Sequence, residues 1–157
     1  MKQIRCFMIG HRDTPAEIYS HLQYEVERHI TQFGVTEFIV GHYGNFDCLA
    51  AKAIRAAKQK YPHIILSLLL PYHPCESFVE DQNNFDTLFY PEGMETVPRR
   101  YAIPTANRYA IQYADYLIAF VQHPASNSEK LVRYAHSLEK KGVLKITMLM
   151  YTDPKSI

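Results

Sequence analysis

Five runs of apolar residues recur along the chain and alternate with segments whose apolar residues have helical spacing. The runs cover residues 3–9, 36–40, 64–70, 116–121 and 143–150. The third run is apolar almost throughout, which is typical of a parallel strand that is covered on both faces. Because helical segments separate the runs, the pattern predicts an α/β fold. We expect a mostly parallel five-stranded sheet with right-handed crossovers and helices on both faces.

The first two helical segments carry start and stop signals. Residues 14–17 (Thr-Pro-Ala-Glu) have the capping-box pattern, and the apolar residues after them recur every four positions. Gly34 follows this stripe and is a typical helix end. The second helix is predicted over residues 45–60, where Asn45 can cap the N-terminus and Asp47 falls in the first turn.

The second half of the chain is less regular. Residues 71–98 are rich in proline and aromatic side chains, which predicts an irregular insertion whose candidate role is that of a lid over a binding site. Residues 98–113 have helical spacing, with a break expected at Pro104. A second capping box, at residues 126–129 (Ser-Asn-Ser-Glu), predicts the start of the last helix.

The bulk composition is that of an ordinary globular protein. The 157 residues predict one domain, residues 1–157, with a substantial core. The net charge is +1, so no overall field attracts DNA, RNA or an anionic membrane, and we expect neither a nucleic acid nor a membrane as partner. The N-terminus lacks a signal-peptide pattern, and three widely spaced cysteines are typical of reduced thiols in the cytoplasm.

Turn residues with functional chemistry follow the first two predicted strands, at the edge where open α/β sheets bind ligands. Gly10-His11-Arg12 follows the first strand, and Gly41-His42-Tyr43-Gly44 leads from the second into Asn45. A strand, a glycine turn and a helix can aim helix N–H groups at an anion. The spacing is neither a dinucleotide fingerprint nor a P-loop, so a plain βα turn with Asp47 as a structural cap explains it equally well.

Histidines also follow four of the predicted strands: His11, His42, His73 and His123. Neighbouring strands are about 4.8 Å apart, so residues on four strands spread over ~14 Å and cannot share one ion. We therefore expect no metal and no cofactor. Histidines that hydrogen-bond a polar ligand, or only the loop backbone, are the favoured interpretation.

Arginines give the stronger signal. Arg12 lies directly after a buried strand and a glycine, where the ligand crevice of such a sheet forms. Arg99, Arg100 and Arg108 lie in the helical segment before the fourth strand. Guanidinium groups bind phosphate and carboxylate through paired hydrogen bonds. For Arg99 and Arg100, simple exposure to solvent is an equal alternative.

Several of these segments together resemble the SLOG superfamily, and most closely its small YpsA-like branch. This Rossmann-like group includes the LOG-type nucleotide phosphoribohydrolases, the DprA/Smf proteins and many small bacterial and phage proteins. The resemblance implies a three-layer Rossmann-like domain. It rests on Gly10-His11-Arg12, Gly41 to Asp47, Ala50 to Ala57, Leu70-Pro71, Asn107-Arg108 ahead of Ala114-Asp115, and Val132 to Ala135.

The chain departs from the family pattern before the last helix. LOG-type enzymes carry a glycine-rich turn and a catalytic glutamate there, whereas this chain has Pro124 to Glu129 and then Val132. Ser126, Asn127 and Ser128 can still offer hydroxyl, amide and helix N–H groups to a phosphate. Anion binding therefore survives the departure better than catalysis does.

Three functions follow as hypotheses. The first is binding of a nucleotide or an ADP-ribose-like derivative at the carboxyl edge of the sheet. The second, which the resemblance implies, is hydrolysis of a nucleotide N-glycosidic bond, with Asp47 and Glu129 as the available acids. The third is DNA handling by analogy with DprA/Smf, which neither the net charge nor a basic stripe supports. The residues expected to hold the ligand are Gly10, His11, Arg12, Gly41, His42, Gly44, Asn45, Arg108, Ser126, Asn127 and Ser128.

The sequence offers one indication of self-association. Tyr101, Tyr109 and Tyr113 recur at helical spacing and are compatible with a homodimer contact.

Overall fold

A six-stranded parallel sheet organises the molecule. The computed structural model describes residues 3–73, 75 and 84–151. Within them the strand order is β4-β3-β2-β1-β5-β6, and every neighbouring pair is parallel. The strands are β1 (Arg5–Ile9), β2 (Glu37–Val40), β3 (Ile65–Leu69), β4 (Thr87–Phe89), β5 (Tyr116–Ala119) and β6 (Lys145–Met148).

Helices cover both faces of this sheet, as the sequence predicts. The helices are α1 (Ile18–Phe33), α2 (Asn45–Lys60), α3 (Ala102–Tyr113) and α4 (Asn127–Glu139), with short 3₁₀ turns at Met94–Thr96 and Arg99–Tyr101. Buried residues of α1 and α2 share one core with inward side chains of β1 and β2, whereas α3 and α4 share the other. None of the helices in this described part is both long enough and apolar enough to span a lipid bilayer.

The predicted count of five strands is wrong, because β4 lies in the stretch predicted to be irregular. β4 has only three residues and pairs with β3 through Leu68 and Leu88 at the sheet edge. Asp86, directly before it, accepts a hydrogen bond from the N–H of Leu66 (2.8 Å) and forms an ion pair with Lys58. Residues 74 and 76–83 of the predicted insertion lie outside the described residues, so its role as a lid stays a prediction.

Two expected helix signals have other roles. The prediction that Thr14 caps the first helix is wrong. Thr14 Oγ1 donates a hydrogen bond to the carbonyl of His11 (2.7 Å) and accepts one from the N–H of His11 (3.2 Å). Helix α1 begins only at Ile18 and has no side-chain cap. The break at Pro104 is also wrong. Pro104 is the third residue of α3, where a backbone N–H has no partner within the helix, so proline costs nothing there.

Other helix boundaries are confirmed. Gly34 ends α1 in the left-handed conformation (φ 72°), which glycine adopts without strain. α2 spans residues 45–60 as predicted and has Asp47 in its first turn, but it begins after Gly44, and Asn45 contacts Thr14 instead of capping the helix.

Candidate functional site

A wide cleft opens at the carboxyl edge of the sheet, between the loops that follow β1 and β5. The chain runs outward in one direction from β1 through β2 to β4 and in the other from β5 to β6, so β1 and β5 flank the switch point where such sheets bind ligands. The cleft has a volume of about 730 Å³ and lies between the β1 loop and the N-terminal turns of α3 and α4.

Cations line this cleft. They come from three separate parts of the chain, and we call the opening the cationic cleft. No acidic side chain of the described residues lines it. The local charge is therefore strongly positive, although the whole chain has a net charge of only +1. The cationic side chains are Arg12, Arg99, Arg100, Arg108 and Lys130.

A smaller space, the inner cavity, adjoins the cationic cleft. Its volume is about 100 Å³. The two spaces share six lining residues, among them Asn107, Asn127 and Ser128. Asp47 and Tyr43 line only the inner cavity, and no lysine or arginine of the described residues lines it. The charged side chains that line the two compartments therefore have opposite sign.

Close backbone contacts hold the β1 loop against the start of α2. A Cβ atom on Gly44 would lie 2.4 Å from Arg12 Cα, and one on Gly10 would lie 2.2 Å from Phe46 Cγ. The N–H of Asn45 donates to the carbonyl of Arg12 (3.0 Å), and the N–H of Phe46 donates to that of His11 (3.3 Å). These two amide groups of α2 are thus used within the protein, and the contact positions Arg12 at the cleft.

His11 joins the loops on the two sides of the switch point. Its Nε2 accepts a hydrogen bond from the N–H of Gln122 (2.7 Å), and its ring centroid lies 4.6 Å from that of His123. Burial and the neighbouring His123 lower the pKa of His11, so the ring is neutral at physiological pH. His123 in turn contacts Asp13 (3.0 Å).

The histidines do not converge on an ion. The ring of His11 hydrogen-bonds loop backbone, which is one of the two roles expected for these histidines. His42 and His73 are exposed. The described residues contain no group of three or more side chains placed to bind a metal.

Among the described residues, Asp47 is the one carboxylate that lines the inner cavity. Burial raises its pKa to about 6, although the N–H groups of Tyr43 and Gly41 and the charge of His42 lower it. Its Oδ2 accepts the hydrogen bond from Tyr43 (2.9 Å), and a Cβ on Gly41 would come within 3.0 Å of the same oxygen. Asp47 therefore exchanges its proton close to neutral pH.

The N-terminus of α4 lines both compartments through Asn127 and Ser128. Ser126 caps it by accepting from the N–H of Glu129 (3.1 Å), as the capping box predicts, and Ser128 Oγ donates to the carbonyl of Gly10 (2.9 Å). The N–H groups of Asn127 and Ser128 have no hydrogen-bond partner among the described residues. They are therefore free to bind an anion.

Glu129, the second candidate acid, lies elsewhere. It pairs with Arg133 (2.8 Å) on the next turn of α4 and lines neither compartment.

The structure brings together most of the residues that the sequence singled out, but not all. His42, Gly44, Asn45 and Glu129 line neither compartment. Lys130 is not among the residues predicted from the sequence, and for Arg99 and Arg100 the sequence favours neither ligand binding nor simple exposure to solvent. The predicted site residues that line the cationic cleft, the inner cavity or both are Gly10, His11, Arg12, Gly41, Asp47, Arg108, Ser126, Asn127 and Ser128.

Comparison with known proteins gives matches in structure only. No family model and no curated protein sequence matches. The chain is similar in structure to DNA processing protein A from Helicobacter pylori, with a TM-score of 0.62, 17% identity, and coverage of 96% of this chain and 67% of that one. It is also similar to DprA from Streptococcus pneumoniae (TM-score 0.52, 12% identity, 93% and 59% covered). A third match is the Chlamydomonas rheinhardtii Moco carrier protein, with a TM-score of 0.52, 14% identity, and coverage of 99% of this chain and 80% of that one.

These similarities show the fold. The Rossmann-like α/β fold expected from the sequence is confirmed, and this chain spans about two thirds or less of the length of the two DprA chains. The Helicobacter protein was described for its mode of binding single-stranded DNA, and the Chlamydomonas protein is a carrier, so the fold serves binding in both.

The expectation that no nucleic acid is a partner is wrong. A protein that shares the fold binds single-stranded DNA. Net charge was a poor guide because it averages the cationic cleft with acidic side chains elsewhere on the surface.

Proposed function

We propose that this protein binds a phosphate-bearing nucleotide or nucleotide derivative, such as an ADP-ribose-like molecule, in the cationic cleft. The observation that carries the proposal is the lining of the cleft, in which cations from three parts of the chain meet at the switch point without a described acid among them. Its volume of about 730 Å³ lies within the range of roughly 300–1,000 Å³ typical of small-molecule sites.

The surroundings of the cations suit a nucleotide. Arg12 and the unpaired N–H groups at the start of α4 line the same cleft, so a phosphate there gains both a guanidinium partner and a helix N-terminus. Tyr72 lines the cleft as well, with the Arg99 guanidinium 4.5 Å from its ring centroid. A flat cation on an aromatic ring forms a surface on which a base can stack.

Single-stranded DNA is the second candidate ligand. It is favoured by the similarity to the Helicobacter DNA processing protein and by the same cations, which suit a chain of phosphates as well as one nucleotide.

Hydrolysis of a nucleotide N-glycosidic bond remains the enzymatic alternative. Asp47 supports it, because a carboxyl group with a pKa of about 6 can exchange a proton near neutral pH. Glu129 does not support it, since its carboxylate pairs with Arg133 outside both compartments.

Calorimetric titration of the cleft variants tests the binding proposal. AMP, ADP-ribose and a short oligothymidylate would be added to the wild-type protein and to Arg12→Ala and Arg108→Ala. Loss of a charged hydrogen bond to phosphate weakens binding by ~10-fold or more. Arg133→Ala is the matched control, because Arg133 is an exposed arginine on α4 that does not line the cleft.

We expect both cleft variants to lose affinity and the control to keep it. Chromatography of the titrated nucleotides, with release of free base as its readout, separates a binder from a hydrolase. Failure of all three compounds to bind, or equal affinity in wild type and Arg12→Ala, would overturn the proposal.

A further inference from the structure

We propose that the inner cavity recognises the 2′,3′-diol of a ribose, with Asp47 as the specificity-determining acceptor. The ligand of the cationic cleft is then a ribonucleotide. This inference rests on the proposed binding function and names its ligand class.

The size of the inner cavity limits what can enter it. A volume of about 100 Å³ is smaller than the roughly 150 Å³ cavity that accepts benzene, so this space suits a group smaller than a nucleobase. Two hydroxyl groups and the carbons that carry them do fit. Because six residues line both compartments, one ligand can extend from the cationic cleft into the inner cavity.

Charge decides which part of a nucleotide enters. The described lining of the inner cavity contains the carboxyl group of Asp47 and no lysine or arginine, so the arginines of the cationic cleft offer a phosphate the better site. Asp47 Oδ2 accepts one hydrogen bond from Tyr43. A carboxylate has about four acceptor positions, which leaves room for hydroxyl donors. The side-chain amides of Asn107 and Asn127, which also line the cavity, can donate to hydroxyl oxygens.

The stereochemistry of ribose fits this division. Its 2′ and 3′ hydroxyls lie on the opposite face of the ring from the base and the 5′ carbon. The diol can therefore enter a small cavity while the base and the 5′ phosphate both remain in the wide cleft. DNA lacks the 2′ hydroxyl, and within a strand its 3′ oxygen is esterified, so an internal deoxynucleotide offers Asp47 no hydroxyl donor.

A series of three nucleotides tests the inference. AMP, 2′-deoxy-AMP and 2′,3′-dideoxy-AMP carry the same base and phosphate and differ only in the diol. We expect the wild-type protein at pH 7.5 to bind AMP at least about tenfold more tightly than 2′,3′-dideoxy-AMP, because each lost hydroxyl removes a hydrogen bond to a charged acceptor. 2′-Deoxy-AMP should fall between them.

Two variants show which compartment causes the difference in affinity among the three nucleotides. Asp47→Asn should bind the three compounds with nearly equal affinity, since the charged acceptor is gone. Arg108→Ala, which alters only the cationic cleft, should weaken all three and keep their ratio. Circular dichroism of each variant confirms that it is folded.

The outcomes separate this inference from the function on which it rests. Equal affinity of the wild type for all three compounds, together with weaker binding in Arg12→Ala, overturns the ribose inference and leaves nucleotide binding intact. Tight binding of the oligothymidylate with no binding of AMP also overturns the inference. If none of the compounds binds, the proposed function falls, and the inference with it.

Discussion

Replacing Asp47 by asparagine should make the protein more stable at neutral pH. Burial raises the pKa of this carboxyl group from 3.8 to about 6. Between these values the folded protein holds a proton that the unfolded chain has released. The free energy of unfolding therefore falls as the pH rises from about 4 to about 6, and above that range the folded state bears the full cost of a buried charge.

The magnitude follows from the two pKa values. A pKa that differs by 1 between the folded and unfolded states changes the free energy of unfolding by ~1.4 kcal/mol. The rise of the Asp47 pKa from 3.8 to about 6 therefore corresponds to about 3 kcal/mol. Asparagine has nearly the same shape, carries no charge and keeps an oxygen that can accept from the N–H of Tyr43. We expect Asp47→Asn to be more stable than the wild type by up to ~3 kcal/mol at pH 7.5 and equal to it near pH 4.

Urea unfolding of both proteins between pH 4 and pH 8 measures this difference. Asp13→Asn is the control with the opposite sign. The hydrogen bond with His123 lowers the pKa of the exposed Asp13, so this substitution should slightly reduce stability at neutral pH. If Asp47→Asn is instead less stable than the wild type at pH 7.5, the carboxylate is a stabilising helix cap. The plain βα-turn interpretation of the motif would then be correct.

Two further substitutions test the supports of the site. Gly44→Ala should destabilise the protein by at least about 2 kcal/mol, because the new Cβ would lie 2.4 Å from Arg12 Cα. Gly93→Ala, which strains φ but meets no atom within 4 Å, should cost only ~1 kcal/mol; equal costs for the two would refute the contact. Ser126→Ala should lower the unfolding free energy by ~1 kcal/mol through loss of the bond from the Glu129 N–H, and an unchanged thermal midpoint would contradict this.

The sequence predicted well those elements in which the apolar pattern repeats over many residues or a strong local signal marks an end. α2 has buried alanines against the sheet and a glycine turn before it, and its bounds were predicted correctly. β4 was missed because a three-residue edge strand with exposed Thr87 and Leu88 is too short for a period-two pattern. Thr14 misled the prediction of α1, since its hydroxyl bonds to His11 through a contact that local sequence does not specify.

The site was predictable in its location but not in its division into two compartments. The order of strands and helices places Arg12 and Ser126 at one edge of the sheet, and this is visible in the sequence. The opposite polarity of the compartments depends on which side chains turn inward. Asp47 faces the inner cavity while Glu129 pairs with Arg133, and spacing alone does not separate these two acids.

A crystal structure of the protein with AMP tests the central claim most directly. We predict the phosphate in the cationic cleft, within hydrogen-bond distance of an arginine of the cleft and of the N–H groups of Asn127 or Ser128. Density for the nucleotide on another surface, with the cleft filled only by solvent, would contradict the account.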